Sequence, residues 1–160
     1  MSWICSTIST PGLTRAVSTV IVDANILLYA VDRSASHHRA AAEWLSGALR
    51  GHELVGLPWQ TLGAFLRIAT HPRITARPLT VEAAQAYVDE WLATEPVWVP
   101  PATERTARVY ADLGRRHRIT GNLVPDAQLA ALALENGVAV VSADSDFARF
   151  AEVRWINPLT

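Results

Sequence analysis

From Val20 onward the chain alternates short apolar runs with segments of helical period. Val20-Ile21-Val22, Leu54 to Leu57, Val97 to Val99, Val138 to Val141 and Val153 to Ile156 read as short buried strands. The segments between them read as helices. One is predicted over about 25–31 and another over 38–50, with Ala41, Trp44, Leu45, Ala48 and Leu49 on one face and Gly51 at its end. Pro58 opens a helix to about Thr70, with Trp59, Leu62, Phe65, Leu66 and Ala69 predicted to face the core, and Pro72 closes it. Thr80 caps a helix over 81–93 that carries Glu82 in its first turn. Further helices are predicted over 103–117, 125–136 with Gly137 as C-cap, and 145–150.

Strands alternating with helices predict an α/β fold: one domain over 19–160, with a mainly parallel central sheet sandwiched by helices. Right-handed crossovers then line up the strand C-termini along one edge, where such sheets bind ligands. Residues 1–18, rich in Ser and Thr and containing Pro11-Gly12, read as a poorly ordered extension.

Composition narrows the chemistry. The chain has 160 residues, half of them apolar, and a formal net charge of −1, so a general basic coat for nucleic acid is absent. All 14 basic residues are arginine. Without lysine, Walker A phosphate loops, Schiff bases and Ser-Lys dyads are impossible. The single Cys5 excludes an internal disulfide framework and fits a reducing, cytoplasmic compartment. No apolar run is long enough to span a membrane, and no secretory signal is recognisable.

Four acids fall where the fold would collect them. Asp23 follows the first strand, Asp144 and Asp146 follow Val138 to Val141, and Asp126 lies in the first turn of the preceding helix. Taken singly, each also suits a helix cap or first-turn acid. Gathered at one edge they repel and raise one another's pKa, a cost that a divalent cation relieves. Hard oxygen ligands in an open site suit Mg²⁺ or Mn²⁺, which can hold a phosphodiester, acidify a water and stabilise a leaving oxygen. Asn25 and Ser142, each two residues from an acid, can orient carboxylates.

Three segments carry a resemblance: Val-Asp-Ala-Asn-Ile-Leu-Leu-Tyr (22–29), Gly-Asn-Leu-Val-Pro-Asp-Ala-Gln-Leu-Ala-Ala-Leu-Ala (121–133) and Val-Ser-Ala-Asp-Ser-Asp-Phe (141–147). In their order and spacing they resemble the PIN-domain ribonucleases, specifically the VapC toxins of bacterial toxin–antitoxin pairs. The resemblance implies an α/β/α sandwich, metal-dependent RNA cleavage, a homodimer, and a VapB-type antitoxin that covers the active site. It carries the family's metal ligands onto Asp23, Asp126 and Asp144, with Asp146 as the further acid of the last motif. One feature departs from the pattern. Many members place a Glu on the helix after the second strand, where this chain has Ala64 and no acid on that helix. Glu43, on the earlier helix, is the nearest replacement; as a solvated helix acid it would have no role in the site.

The expected chemistry is hydrolysis of an RNA phosphodiester by a metal-activated water, with tRNA, rRNA and mRNA all open as substrates. Arg115, Arg116 and Arg118 form a knot before Asp126 that suits phosphate contact or, equally, a solvated helix end. The tryptophans invite a base-stacking reading, but Trp44, Trp59 and Trp91 lie on apolar helix faces and are expected in the core. Two rivals remain at this point. Asp23 could be a phosphoryl-accepting nucleophile of an α/β phosphatase, which the missing lysine disfavours. Alternatively, the chain is a catalytically weakened RNA- or antitoxin-binding module.

Overall fold

The computed structural model describes residues 18–160. Five short strands form one wholly parallel sheet: β1 (Thr19–Val22), β2 (Leu54–Gly56), β3 (Val97–Trp98), β4 (Ala139–Val141) and β5 (Trp155–Ile156). Their order across the sheet is β3-β2-β1-β4-β5. The helices are α1 (Ala24–Val31), α2 (His38–Arg50), α3 (Trp59–Ala69), α4 (Val81–Leu92), α5 (Glu104–His117) and α6 (Leu123–Asn136). A 3-10 turn over Ser145–Arg149 follows β4.

Two cores sit on the two faces of the sheet. Alternate strand residues Val20, Val22, Val55 and Val141 pack with Ile26, Leu45, Leu62, Phe65, Val88 and Trp91 from α1 to α4. Their neighbours Ile21 and Val140 face the other way, onto α6, Leu113 of α5 and the buried Phe147 and Phe150. The apolar strand runs are therefore those of a sheet buried on both faces. Gly56 is required by close approach: a Cβ there would lie 3.0 Å from both Ile21 Cγ1 and the Val20 carbonyl oxygen.

Central β1 pairs with β2 on one side and β4 on the other, with Ile21 beside both Gly56 and Val140. The chain leaves β1 toward β2 and reaches β4 only near its end. The C-terminal tips of β1 and β4 thus flank the switch point at which ligands of such sheets bind.

The helices begin and end for local reasons. Asp23 caps α1, Thr80 caps α4, and Thr103 with Thr106 forms a capping box on α5. Gly137 ends α6 at φ 64°, a left-handed turn that glycine adopts without a Cβ penalty. Helix α6 starts two residues earlier than its apolar period suggests, because Pro125 is tolerated in a first turn whose N–H groups lack helical partners anyway.

One predicted core residue is not in the core. Trp59 is 65% exposed. The buried stripe of α3 is Thr61, Leu62, Phe65 and Ala69, and position 59 lies off it. Trp91 is buried, while Trp44, Trp98 and Trp155 are partly buried. The expectation of a poorly ordered extension falls on residues 1–17, outside those described; Ser18 is already tied in, its carbonyl accepting from Leu54 N–H at 3.1 Å. Among the described residues, no helix is long and apolar enough to cross a membrane.

Candidate metal centre

Asp23 stands at the tip of β1, anchored by its own N–H, which donates to the Val141 carbonyl at 2.9 Å. Its carboxylate is surrounded by donors. Ala24 N–H reaches Oδ1 at 2.7 Å, while Ser142 Oγ–H (2.7 Å) and Asn25 Nδ2–H (2.9 Å) both reach Oδ2. Asn25 also donates to Ser142 Oγ at 2.9 Å and accepts from Ala143 N–H at 3.2 Å. Fully buried Ser142 further accepts from Asp144 N–H at 3.0 Å, and its carbonyl takes the Trp155 indole N–H at 2.9 Å. Asn25 and Ser142 thus lock the tip of β1 to the turn after β4. Burial raises the Asp23 carboxyl above the ordinary carboxylate range, despite the bonds from Ser142 and Ala24, and Asp144 pushes the same way.

Asp144 caps the 3-10 turn, its Oδ1 accepting from Asp146 N–H at 2.8 Å. Opposite it, the first turn of α6 presents Asp126. One carboxylate oxygen from each of Asp126, Asp144 and Asp146 can be chosen so that all three lie within 4.8 Å of one another. The Asp126 carboxylate accepts no hydrogen bond among the described residues. Burial, then Asp144, Asp23 and Asp146, push its pKa up to about 7. A half-buried carboxylate facing three others without a donor is electrostatically incomplete. Hard oxygens at this spacing fit Mg²⁺ or Mn²⁺, and among the described residues no side-chain cation pairs with them.

The structure therefore brings the four predicted acids to one edge, with Asn25 and Ser142 supporting them. It does not bring Glu43 there: that side chain is exposed on α2 and paired with Arg39 at 2.9 Å. Ala64 is half-buried on α3, which carries no acid. The arginine knot is largely engaged elsewhere. Arg115 pairs with Asp112, and Arg116 (3.1 Å) and His117 (3.1 Å) reach Glu152. Arg118 ends α5 in a left-handed conformation and is exposed.

Thr61, which the sequence reading did not single out, joins this edge. Its buried hydroxyl donates to the Val22 carbonyl at 2.6 Å, tying the first turn of α3 to the residue before Asp23. A polar residue at an otherwise apolar position of α3 was the available signal.

The family model of the PIN domain matches residues 20–153. The chain belongs to the PIN-domain family. It is 46% identical over 138 residues to Ribonuclease VapC37 of Mycobacterium tuberculosis, spanning 86% of this chain and 96% of that relative. Two solved structures share the PIN fold. The VapBC-1 structure from nontypeable Haemophilus influenzae aligns with a TM-score of 0.63 at 17% identity, over 89% of this chain and 99% of the other. Mycobacterium tuberculosis VapC20, a sarcin–ricin loop cleaving toxin, aligns with a TM-score of 0.60 at 19% identity, over 84% of this chain and 98% of the other. A PIN domain with acids at the tips of β1 and β4 replaces the phosphatase reading of Asp23.

Proposed function

We propose that this PIN-domain chain is a VapC-type toxin: a metal-dependent endoribonuclease neutralised by a VapB-type antitoxin and acting in the cytoplasm as a homodimer. The observation that carries the reading is the convergence of Asp126, Asp144 and Asp146, with Asp126 raised to about 7 and no donor to it among the described residues. The ribonuclease names of relatives such as VapC37, and the antitoxin present in the VapBC-1 structure, support the substrate class and the partner.

Asp126, Asp144 and Asp146 would hold the ion, with Asp23 completing the negative edge. A bound Mg²⁺ or Mn²⁺ would supply Lewis-acid polarisation of a phosphodiester and acidify a water. The protein's own part is positional. Ser142 and Asn25 hold Asp23 in one rotamer, and the bond from Asp144 N–H to Ser142 fixes the spacing of the two strand-tip acids. The acids form an open edge, so an extended phosphodiester can approach them from solvent.

The test is cleavage of total RNA by purified, antitoxin-free protein with Mg²⁺ or Mn²⁺, beside an EDTA control and the variants Asp23→Ala and Asp126→Ala. Discrete products lost in all three controls support the reading. Cleavage that survives EDTA or both variants overturns the site. No cleavage by folded, metal-loaded protein favours the weakened binding module and directs attention to Ala64.

A further inference from the structure

We propose that Trp59 is a substrate-positioning residue: a platform on which an unpaired RNA base stacks beside the scissile phosphate. The inference rests on the ribonuclease reading above.

A 65%-exposed tryptophan costs solvation that the core would have relieved, and strand register brings the start of this one's helix to the level of Asp23. Ile21 pairs with Gly56, which puts Val22 level with Leu57 and Asp23 level with Pro58, so Trp59 begins α3 one residue past the level of Asp23. The 2.6 Å bond from Thr61 to the Val22 carbonyl fixes that turn against β1. Helices α3 and α6 lie on opposite faces of the sheet yet are in contact. Asp126 lies in the first turn of α6.

The neighbouring surface suits a nucleic-acid strand. Trp59, Gly63 and Arg67 follow one another at intervals of four residues on the exposed side of α3. A Cβ at Gly63 would meet nothing within 4 Å, so the surface beside the indole is open. Arg67, about 12 Å along the helix, is exposed and has no ion-pair partner among the described residues. An aromatic face followed by a cation is the arrangement that binds single strands, whereas a duplex hides its base faces.

The experiment measures binding of a labelled 12-nucleotide RNA of mixed sequence, single-stranded or annealed to its complement, by fluorescence anisotropy. Asp126→Asn serves as the parent, so that the probe survives. Trp59→Leu is expected to weaken single-strand binding about 5- to 100-fold, to leave duplex binding unchanged, and to keep the salt slope. Trp59→Phe should stay within about threefold of the parent. Equal affinity of the parent and Trp59→Leu for the single strand overturns the proposal, as does an equal loss on both probes. So does a Trp59→Leu chain that changes oligomeric state while binding RNA normally, which would assign the indole to a protein interface. If the Asp126→Asn parent binds neither probe and the unsubstituted chain cleaves no RNA, the ribonuclease reading falls as well. Cleavage by the unsubstituted chain with an indifferent Trp59→Leu removes this proposal alone.

Discussion

Asp23 and Asp126 are both half-buried carboxylates at the same sheet edge, yet the protein treats them differently. Asp23 is met by three donors, from Ala24, Asn25 and Ser142, so the protein itself offsets part of the cost of its burial, although burial still holds its carboxyl above the ordinary range. Asp126 has none among the described residues, and three further carboxylates face it. The first corner is finished by folding. The second becomes favourable only when a proton or a cation arrives. Stability and function are thereby separated by a few ångströms: Ser142 and Asn25 maintain the frame, and the three-acid corner is left for a ligand.

The sharpest way to break the contrast is Asp126→Asn. Its loss should reduce metal-dependent RNA cleavage on the order of 10²–10³-fold, the scale of removing one electrostatic stabiliser from an active site. The same change removes a repelled charge, so the metal-free variant should melt at a higher temperature than the parent at pH 7. A lowered melting temperature would show that Asp126 is a structural cap and that the two corners do not differ as argued.

Ser142→Ala attacks the finished corner and should act in the opposite sense on stability. It removes one of the two donors to Asp23 Oδ2, leaving Asn25 as the other, and takes away the acceptor for Asn25 Nδ2–H and Asp144 N–H. Unsatisfied groups of this kind cost about 1–3 kcal/mol. Metal affinity should fall about 10- to 100-fold, as when an orienting neighbour of a ligand is lost. Denaturant melts and Mn²⁺ titration separate the two effects. Unchanged affinity would mean that the trio of Asp126, Asp144 and Asp146 is positioned without the lock to β1.

The pH dependence follows from the unfinished corner. Asp126 binds its proton up to about pH 7 when folded but only near the ordinary carboxylate value when unfolded, so the folded state holds more protons between those limits. Its contribution is therefore complete at acid pH and lost as pH rises through 7; Asp23 adds in the same sense. Asp32 and Glu152, whose carboxyls are lowered by their hydrogen bonds, oppose this only at the acid end. With EDTA, the melting temperature should fall from pH 5 to pH 7. Saturating Mn²⁺ should flatten that slope and release about one proton on binding at pH 6. A flat profile in EDTA would remove the repulsion argument.

Much of this was readable in the chain. Short apolar runs and period-3.6 patterning marked every element, because a sheet covered on both faces leaves short, wholly apolar strands between amphipathic helices. The four aspartates were legible because each directly follows a strand or opens a helix, so topology alone gathers them. Trp59 is exposed against expectation because the buried stripe of α3 runs through the polar Thr61, which turns position 59 away from the core, and apolar periodicity alone does not reveal that a threonine takes a core position. The arginine knot was opaque for another reason: Glu152, which engages Arg116 and His117, lies more than thirty residues away and meets them only in the folded chain. A double Arg115/Arg116→Ala substitution should accordingly leave the salt slope of RNA binding unchanged, whereas Arg118→Ala should lower it by about one. A slope reduced by two in the double variant would show that both side chains leave their acids for phosphate.

The smallest effect belongs to Glu43→Ala, and it closes the question raised by the acid-free α3. If the centre is complete with Asp23, Asp126, Asp144 and Asp146, an acid on the solvent face of α2, ion-paired with Arg39 in the same helix, has no part in it. Exposed pairs of this kind contribute little to folding. The variant should match the parent in melting temperature, Mn²⁺ affinity and cleavage rate. A weakened Mn²⁺ affinity at unchanged melting temperature would have one physical meaning: α2 moves relative to α1 when the ion binds and delivers the carboxylate that the position of Ala64 lacks.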